Sequence, residues 1–257
     1  MSSTGTHADV GELLFELPGR GRVLFTTRAH GNMSSVGGLD HEHGQRARAR
    51  LRSELGLRRL ARGYQVHGTT VLLADLRSVR VEDDLPARDS ALARPTVEAD
   101  GHATSLAGVG VMVLAADCLP VALGGDRAVA VVHAGWRGLA AGVLEEGVRA
   151  LRELGEDGDI AAIVGPGAGP CCYEVGPEVH AALRSGGGHS APDVSSTMAA
   201  AAGSPIDLAA LARERLHAAG VARVRVLGLC TICDPRFYSH RRESTRAGRQ
   251  AGIAWIA

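Results

Sequence analysis

A cysteine and a histidine stand at the ends of two neighbouring apolar segments in the middle of the chain. Cys118 directly precedes the apolar segment Leu119–Leu123, and His133 directly follows the next one. The sequence between the two segments, Gly-Gly-Asp-Arg, is typical of a β-hairpin turn. If Gly125 and Asp126 form the centre of that turn, Cys118 and His133 are cross-strand partners. Such partners have Cβ atoms roughly 4.5–5.5 Å apart, so the thiol and the imidazole would share one face of the sheet.

A thiol facing an imidazole can do chemistry with or without a metal ion. With His67, in the segment Gln-Val-His-Gly, as a third ligand, the set suits zinc or copper far better than magnesium or calcium. Three protein ligands leave the fourth position of zinc for water, whose pKa falls to about 7. Alternatively, Cys118 is a nucleophile and His133 its base, without a metal. Each residue by itself would more often be structural; the predicted register favours a metal or catalytic site.

An arginine next to this pair predicts an anion site. Arg137 and Gly138 precede a predicted helix, Leu139–Leu154. The N-terminus of a helix offers free N–H groups and the positive end of the helix dipole, and an arginine adds a planar donor pair for phosphate. The alternative for Arg137 is a surface ion pair with a carboxylate.

The four remaining cysteines give a weaker pattern. Cys230 and Cys233 form a single C-x-x-C that follows a predicted strand. A structural zinc site needs a second pair, and the adjacent Cys171 and Cys172 differ from the usual ligand spacing. We therefore interpret these cysteines as mostly buried structural thiols, with a redox motif as the alternative.

Composition excludes several classes of protein. Hydrophobic residues make up 45% of the 257 residues, which is enough for a sizeable core, but aromatic residues make up only 3%, so Val, Leu and Ala must fill it. Acidic and basic residues balance at 28 each, which gives no overall field for nucleic acid or an anionic membrane. The chain contains no lysine. Pyridoxal enzymes and ordinary P-loop enzymes, which need one, are excluded.

The sequence also predicts a cytoplasmic location. The N-terminal residues lack the basic segment and apolar core of a secretory signal, and no apolar run approaches the roughly 20 residues that span a bilayer. Five cysteines, an odd number, do not predict a disulfide framework.

Apolar periodicity predicts strands mixed with helices, and we find neither an internal repeat nor a clean domain boundary. The predicted strands are Leu13–Leu17, Arg22–Thr27, Thr69–Ala74, Val111–Ala115, Leu119–Leu123, Ala128–Val132, Ile160–Val164, Val224–Leu229 and Ala251–Ile256. The predicted helices are Gln45–Leu57, Leu139–Leu154, Pro177–Arg184 and Leu208–Ala219. Val79–Glu98 is predicted to be a surface connection, and Ser185–Pro205, rich in Gly, Ser and Ala, a disordered or inserted segment.

Seven short motifs, spread in order over most of the chain, resemble the laccase-domain family, also called YfiH-like or multicopper polyphenol oxidoreductase. The motifs are Thr26–Arg28, Gln65–Gly68, Glu98–Asp100, Ala116–Val121, His133–Gly138, Gly165–Gly176 and Phe237–Arg242. The resemblance implies one catalytic domain over residues 1–257, of α/β (mixed α+β) class, with mixed β-sheets covered by helices. That fold is similar to the one of the cytotoxic necrotizing factor deamidases.

The resemblance also implies a metal and a reaction. His67, Cys118 and His133 would form a zinc site, although the older polyphenol-oxidase name implies copper. Family members are linked to phosphorolysis of adenosine, inosine and methylthioadenosine and to deamination of adenosine. Where the family often has an Asn-Arg pair, this chain has Ala47-Arg48, and Arg48 is expected to contact the substrate.

The residues favour nucleoside chemistry over phenol oxidation. A copper laccase needs a type-1 copper and a three-copper cluster held by several His-x-His pairs, whereas this chain has one such pair, His41 and His43, in a polar glycine-rich loop. One metal and one anion site are what phosphorolysis and deamination require. In phosphorolysis, phosphate near Arg137 would attack the ribose anomeric carbon; in deamination, metal-bound hydroxide would attack purine C6.

The sequence thus predicts a zinc-dependent purine nucleoside phosphorylase with adenosine deaminase activity. Its partners would be purine nucleosides and phosphate, without nucleic acid or membrane, and it would be a monomer or small homo-oligomer. A copper-dependent phenol oxidase and a metal-free Cys/His hydrolase stay open as alternatives, as does a metal-binding or partner-interaction module without turnover.

Overall fold

The computed structural model describes residues 13–35, 40, 43–74, 97–185 and 203–257. Most of the predicted connection Val79–Glu98, most of Ser185–Pro205, and His41 of the His-x-His pair lie outside the described residues. Within the described residues, no helix has the length and apolar character needed to span a membrane.

The described residues form thirteen strands and six α-helices. The strands are β1 (Leu14–Glu16), β2 (Gly21–Phe25), β3 (Arg59–Ala61), β4 (Val71–Leu73), β5 (Gly101–Thr104), β6 (Val109–Ala115), β7 (Leu119–Gly124), β8 (Val129–Ala134), β9 (Ala161–Val164), β10 (Glu174–Val175), β11 (Ser204–Pro205), β12 (Arg223–Val226) and β13 (Gln250–Ile256). The helices are α1 (Gly44–Glu54), α2 (Trp136–Ala141), α3 (Val143–Glu153), α4 (Pro177–Ser185), α5 (Leu208–Ala218) and α6 (His240–Glu243).

Two mixed sheets carry the fold. One has five strands in the order β1-β2-β13-β6-β3, and the other has six in the order β12-β9-β7-β8-β5-β4. Strands β3 and β6, β4 and β5, and β9 and β12 pair in parallel, and the other pairs within these sheets are antiparallel. A two-stranded ribbon, β10-β11, stands apart from them. The mixed α+β class predicted from the sequence is confirmed.

The core consists of layers of small apolar side chains between sheets and helices. In the six-stranded sheet, Val121 and Leu123 pack in the cluster that α3, α4 and α5 cover, while Ala122 and Val131 pack in the cluster between the two sheets. On the outer face of the five-stranded sheet, α1 contributes Leu51 to a third cluster. Because β6, β7 and β8 are buried on both faces, their sequences are nearly continuous apolar runs. Half-exposed strands would instead alternate apolar and polar residues.

The hairpin that carries the predicted site has a different register from the prediction. Pro120, rather than Cys118, is the cross-strand partner of His133. The turn is centred on Asp126 and Arg127 instead of Gly125 and Asp126, so the predicted register is wrong by two residues.

A buried carboxylate explains this turn. Glu156, 1% exposed, accepts a hydrogen bond from Arg127 N at 2.7 Å, and Gly125 N donates to Ala128 O at 3.0 Å to close the hairpin. Because side chains alternate with a period of two, a shift by two positions leaves Cys118 and His133 on the same side of the sheet.

The predicted helix Leu139–Leu154 is two helices. The break is at Gly142, whose φ of 96° lies in the left-handed region that favours glycine. The first of the two, α2, begins at Trp136. Arg137 therefore lies inside the first helical turn rather than in front of it. The other predicted helices and strands are present close to their predicted bounds. The sequence analysis did not identify four of the described strands, β3, β5, β10 and β11, or the short helix α6.

Candidate metal centre

The structure brings together the three residues that the sequence singled out as ligands. The Sγ atom of Cys118 and one ring nitrogen each of His67 and His133 lie within 4.8 Å of one another. The two imidazole rings are 4.9 Å apart between centroids and meet at 69°. His133 is buried, Cys118 is half-buried and His67 is exposed, so the site opens to solvent on the side of His67.

The three candidate ligands come from different segments of the chain, two of them in or next to strands of the six-stranded sheet. Cys118 immediately precedes β7, and His133 is the fifth residue of β8. His67 lies in the loop that joins β3 to β4. The sheet thus fixes two ligands, while the third depends on how its loop is held.

The carboxylate of Asp100 holds that loop. Asp100 is fully buried, and its two oxygens accept three backbone hydrogen bonds, from Val66 at 3.1 Å, His67 at 3.0 Å and Gly68 at 2.8 Å. His67 has a φ of 61°, an uncommon value for a residue with a side chain. Three converging N–H donors on one carboxylate stabilise this conformation and direct the His67 ring into the site.

Asp100 also orients the buried histidine. Its Oδ1 atom lies 2.9 Å from His133 Nδ1, and its backbone carbonyl accepts a hydrogen bond from His133 N at 2.6 Å. Because an ionised carboxylate can only accept, Nδ1 is the protonated nitrogen of a neutral His133 ring, and Nε2 keeps its lone pair for a ligand. A carboxylate behind a ligating histidine is the usual arrangement at zinc sites.

Cys118 and His133 stabilise each other's charged forms. Burial raises the pKa of the Cys118 thiol, but the neighbouring His133 and His67 outweigh it and lower that pKa to about 6. Burial lowers the pKa of His133, but Cys118 and Asp100 outweigh it and raise that pKa to about 9. In the absence of a metal these contacts therefore favour the thiolate of Cys118 and the imidazolium of His133.

The close packing of the three ligands requires a glycine beside them. Gly135 precedes α2, and a Cβ atom there would lie 2.9 Å from Cys118 Sγ and 3.0 Å from His67 Cδ2. Any side chain at this position would displace one or both ligands.

Two arginines lie near a tyrosine that is within electrostatic reach of Cys118. Arg137 is exposed, with its guanidinium 4.3 Å from the centre of the Trp136 ring. The guanidinium of Arg241 lies 5.1 Å from the centre of the Tyr173 ring. Burial and the negative charge of Cys118 raise the pKa of Tyr173, while Arg241 and Arg137 lower it. The tyrosine is therefore within electrostatic reach of both the thiolate and the two cations.

Arg48 lies in a different environment. It is a residue of α1, 2% exposed, and donates from Nη1 to Met33 O at 2.8 Å. Its charge is thus inside the protein, where it fixes the backbone of the segment that follows the first 3₁₀ helix, Arg28–His30.

The sequence analysis assigned no role to Asp100, Tyr173 or Arg241. All three lie in motifs that carried the family resemblance, and that was the available signal. Their roles depend on contacts between segments distant in the chain, which the motifs alone do not reveal.

The prediction that the other four cysteines are mostly buried is wrong. Cys171, Cys172, Cys230 and Cys233 come together, with one sulfur from each within 4.8 Å of the others, and Cys171 and Cys233 are exposed. The adjacent pair meets the C-x-x-C pair because a bridge between Gly167 and Cys230 aligns their two segments in parallel.

The sequence matches a known family over most of its length. Residues 22–257 match the family model described as multi-copper polyphenol oxidoreductase laccase. A protein of Xylella fastidiosa (strain Temecula1) named purine nucleoside phosphorylase is 43% identical over 249 residues, which cover 93% of this chain and 88% of that protein. A Mycobacterium tuberculosis protein of the same name is 33% identical over 254 residues, covering 91% and 92%.

Solved structures show the same fold. YlmD from Geobacillus stearothermophilus is similar with a TM-score of 0.77 and 31% identity, over 92% of each chain. A Neisseria meningitidis protein is similar with a TM-score of 0.75 and 28% identity, over 95% of this chain and 99% of that one.

Proposed function

We propose that this chain, which belongs to the multi-copper polyphenol oxidoreductase laccase family, is a zinc-dependent purine nucleoside phosphorylase. The observation that carries the proposal is the convergence of Cys118, His67 and His133 in a chain 43% identical to a protein named for that activity. The substrates would be adenosine, inosine and methylthioadenosine together with phosphate. A cytoplasmic location and a monomeric or small homo-oligomeric state stay predictions.

The donor set of the site fits zinc. One thiolate and two imidazoles are ligands that zinc prefers, and three protein ligands are typical of catalytic rather than structural zinc. Asp100 supports two of the three ligands, as the outer partner of a zinc-bound histidine does. When bound, such an ion supplies a Lewis acid and lowers the pKa of a coordinated water to near neutrality.

Phosphate would bind between the arginines at the opening. Guanidinium groups recognise phosphate through paired N–H donors. Arg137 is exposed and can therefore meet phosphate from solvent, and the contact with Tyr173 holds the guanidinium of Arg241 nearby. The raised pKa of Tyr173 favours its protonated form, whose hydroxyl can donate to a phosphate or ribose oxygen. For Arg48 we propose a supporting role in substrate binding, through the backbone at Met33 that it holds.

Phosphorolysis then requires these groups to align two reactants. A phosphate oxygen forms a bond to the ribose anomeric carbon as the bond to the purine nitrogen breaks. The purine leaves with the bonding electron pair and takes up a proton, which gives the free base and ribose 1-phosphate. The arginines would hold the attacking phosphate and spread its charge, which is positioning and electrostatic stabilisation rather than covalent catalysis.

We include adenosine deamination as a second reaction of the same site. Water would add to purine C6 and ammonia would leave, which gives inosine without consuming phosphate. The two reactions therefore differ in their need for phosphate, and this difference separates them experimentally.

A metal-free cysteine hydrolase is the second candidate. It is favoured by the order Cys118, His133, Asp100, in which a thiolate faces an imidazole that a buried carboxylate orients. This candidate predicts activity that survives a chelator and is lost to a thiol-alkylating reagent, whereas the zinc-dependent reaction is lost to both.

Copper-dependent phenol oxidation is less well supported by the donor sets. Among the described residues, the groups able to hold a metal are the Cys118 site and the four-cysteine cluster, and neither offers the several histidines of a copper cluster. The donor sets of the described residues therefore favour nucleoside chemistry over phenol oxidation.

The test is product analysis with purified protein of known metal content. Adenosine incubated with phosphate should yield adenine and ribose 1-phosphate, and neither should form without phosphate. Inosine formed with or without phosphate would identify the deaminase reaction. Oxygen uptake with phenols and no nucleoside turnover would contradict the proposal. As a control, His217→Ala changes an exposed histidine of α5 and should leave turnover unchanged.

A further inference from the structure

The four cysteines outside the proposed active site form one compact cluster of sulfur atoms. Cys233 Sγ lies 3.3 Å from Cys171 Sγ and 2.9 Å from Cys172 Sγ. One sulfur from each of the four, Cys230 included, lies within 4.8 Å of the others, and all four are free thiols. Bonded sulfurs of a disulfide are about 2.05 Å apart, so these separations are those of neighbouring, unbonded sulfurs.

The local backbone explains how two adjacent cysteines point to one place. Gly169 O accepts hydrogen bonds from Cys172 N at 3.1 Å and Tyr173 N at 3.0 Å, which closes a turn around Cys171. Gly169 N in turn donates to Cys230 Sγ at 3.3 Å. An N–H···S contact of this kind favours a thiolate, the form in which cysteine binds a metal.

We propose that Cys171, Cys172, Cys230 and Cys233 bind a second zinc ion through four thiolates. Four sulfurs at a zinc–sulfur distance of about 2.3 Å lie roughly 3.8 Å from one another. Two of the separations here, 2.9 and 3.3 Å, are below that value and all of them are within 4.8 Å, so small side-chain movements would seat an ion. Soft thiolate sets select zinc over magnesium or calcium, and a site with four protein ligands has no open position. The ion would be structural, and the proposal does not rest on the proposed nucleoside chemistry.

The charge of such a site has a counterpart in the structure. Zinc with four thiolates is doubly negative. Arg242 donates from Nη1 to Thr231 O at 2.8 Å and to Ile232 O at 2.7 Å, inside the C-x-x-C segment itself. Its guanidinium is therefore held close enough to offset part of the charge.

Hydrogen bonds connect both cysteine-bearing segments to Asp117, the residue that precedes Cys118. Thr231, between the two cysteines of the C-x-x-C pair, donates from Oγ1 to Asp117 Oδ1 at 2.7 Å. From the segment that leads to Cys171 and Cys172, Ala168 N donates to Asp117 O at 2.7 Å. Asp117 is 8% exposed and has a φ of 88°, a conformation that needs such support. A zinc ion bound by both cysteine segments would fix the backbone at Asp117 and so the position of Cys118 in the active site.

The experiment is zinc quantification per chain on the full-length protein, purified with a thiol reductant. We expect two zinc ions in the wild type, one in Cys118→Ala, and one in the double variant Cys230→Ser/Cys233→Ser. Cys118 is the matched control because it is the chain's remaining cysteine. If only the four-cysteine site binds zinc, the wild type and Cys118→Ala would each hold one ion and the double variant none. That result would reject the active-site zinc but support the four-cysteine site. An unchanged zinc count in the double variant would overturn the four-cysteine site.

Cobalt substitution adds a readout that does not depend on activity. Four thiolates give a stronger thiolate-to-cobalt charge-transfer absorption than one, and most of it should persist in Cys118→Ala and be lost in Cys233→Ser. If the cysteine variants do not fold, zinc added back to chelated Cys118→Ala should raise its melting temperature, because a ligand that binds the folded state stabilises it. No change in melting temperature, or a disulfide within the cluster in the reduced preparation, would contradict the proposal.

Discussion

Asp100 and His133 are joined by two contacts. The Asp100 carboxylate lies 2.9 Å from His133 Nδ1, and the Asp100 carbonyl accepts His133 N at 2.6 Å. The same carboxylate receives three backbone N–H groups from the loop that carries His67. One buried side chain thus positions two of the three candidate ligands.

Replacing Asp100 with asparagine should weaken zinc binding at the active site by roughly 10–100-fold, the usual effect of losing the outer partner of a ligating histidine. The amide cannot accept every hydrogen bond that the carboxylate accepts. Competition with a chromophoric chelator would measure the affinity. The matched control is Glu156→Gln, since Glu156 is also a buried carboxylate that accepts backbone N–H groups, at the far end of the hairpin. Equal affinities in the two variants would show that Asp100 has no special role.

A single methyl group at Gly135 should also disturb the site. In Gly135→Ala the new Cβ would meet Cys118 Sγ at 2.9 Å and His67 Cδ2 at 3.0 Å, so the ligands must move apart. We expect weaker zinc binding and reduced turnover with little change in the circular dichroism spectrum. Gly158→Ala is the control, because the nearest atom to its Cβ is a side-chain oxygen of Glu156 at 3.3 Å. Normal zinc affinity in Gly135→Ala would contradict the described ligand geometry.

Removing the metal should expose a reactive thiol. The pKa of Cys118 is about 6, below the usual cysteine value of about 8.5, so at pH 7 the thiolate is the major form in metal-free protein. Alkylation of Cys118 by iodoacetamide, followed by peptide mass spectrometry, should therefore rise with pH through an inflection near 6. Because His133 contributes to the lowered pKa, His133→Gln should move the inflection to higher pH. Added zinc should protect the thiol. An inflection at the ordinary cysteine pKa in the wild type would argue against the pair.

Arg137 should act on phosphate rather than on the metal. In Arg137→Ala we expect a higher KM for phosphate, with unchanged zinc content and a smaller change in the KM for the nucleoside. Initial rates at varied phosphate concentrations measure this. The control is Arg149→Ala, which removes another exposed arginine, one that pairs with Glu146 on α3. An unchanged phosphate KM would remove Arg137 from the proposed anion site.

The sequence identified three residues that converge in the structure, but not the geometry that joins them. The predicted turn was centred one residue too early, which shifts the cross-strand register by two residues. Cys118 and His133 nevertheless share a face because side chains alternate every two residues, whereas a register shift of one residue would have separated them. Turn position here depends on Glu156, which is distant in sequence from the hairpin.

Other features could not be predicted because they arise from long-range contacts. The four-cysteine cluster depends on the parallel bridge between Gly167 and Cys230, and local spacing argued against it. The role of Asp100 depends on β5 lying beside β8, where Asp100 meets His133. The sequence could identify Arg48 as a candidate residue, but its burial against Met33 follows from how α1 packs.

The most direct test of the account is adenosine phosphorolysis measured while zinc is removed and restored. We predict that a chelator abolishes formation of ribose 1-phosphate, and that zinc restores it in the wild type and in His217→Ala. Cys118→Ala should stay inactive whether or not zinc is added. Turnover that persists in the chelated wild type or in Cys118→Ala would contradict a zinc-dependent reaction at His67, Cys118 and His133.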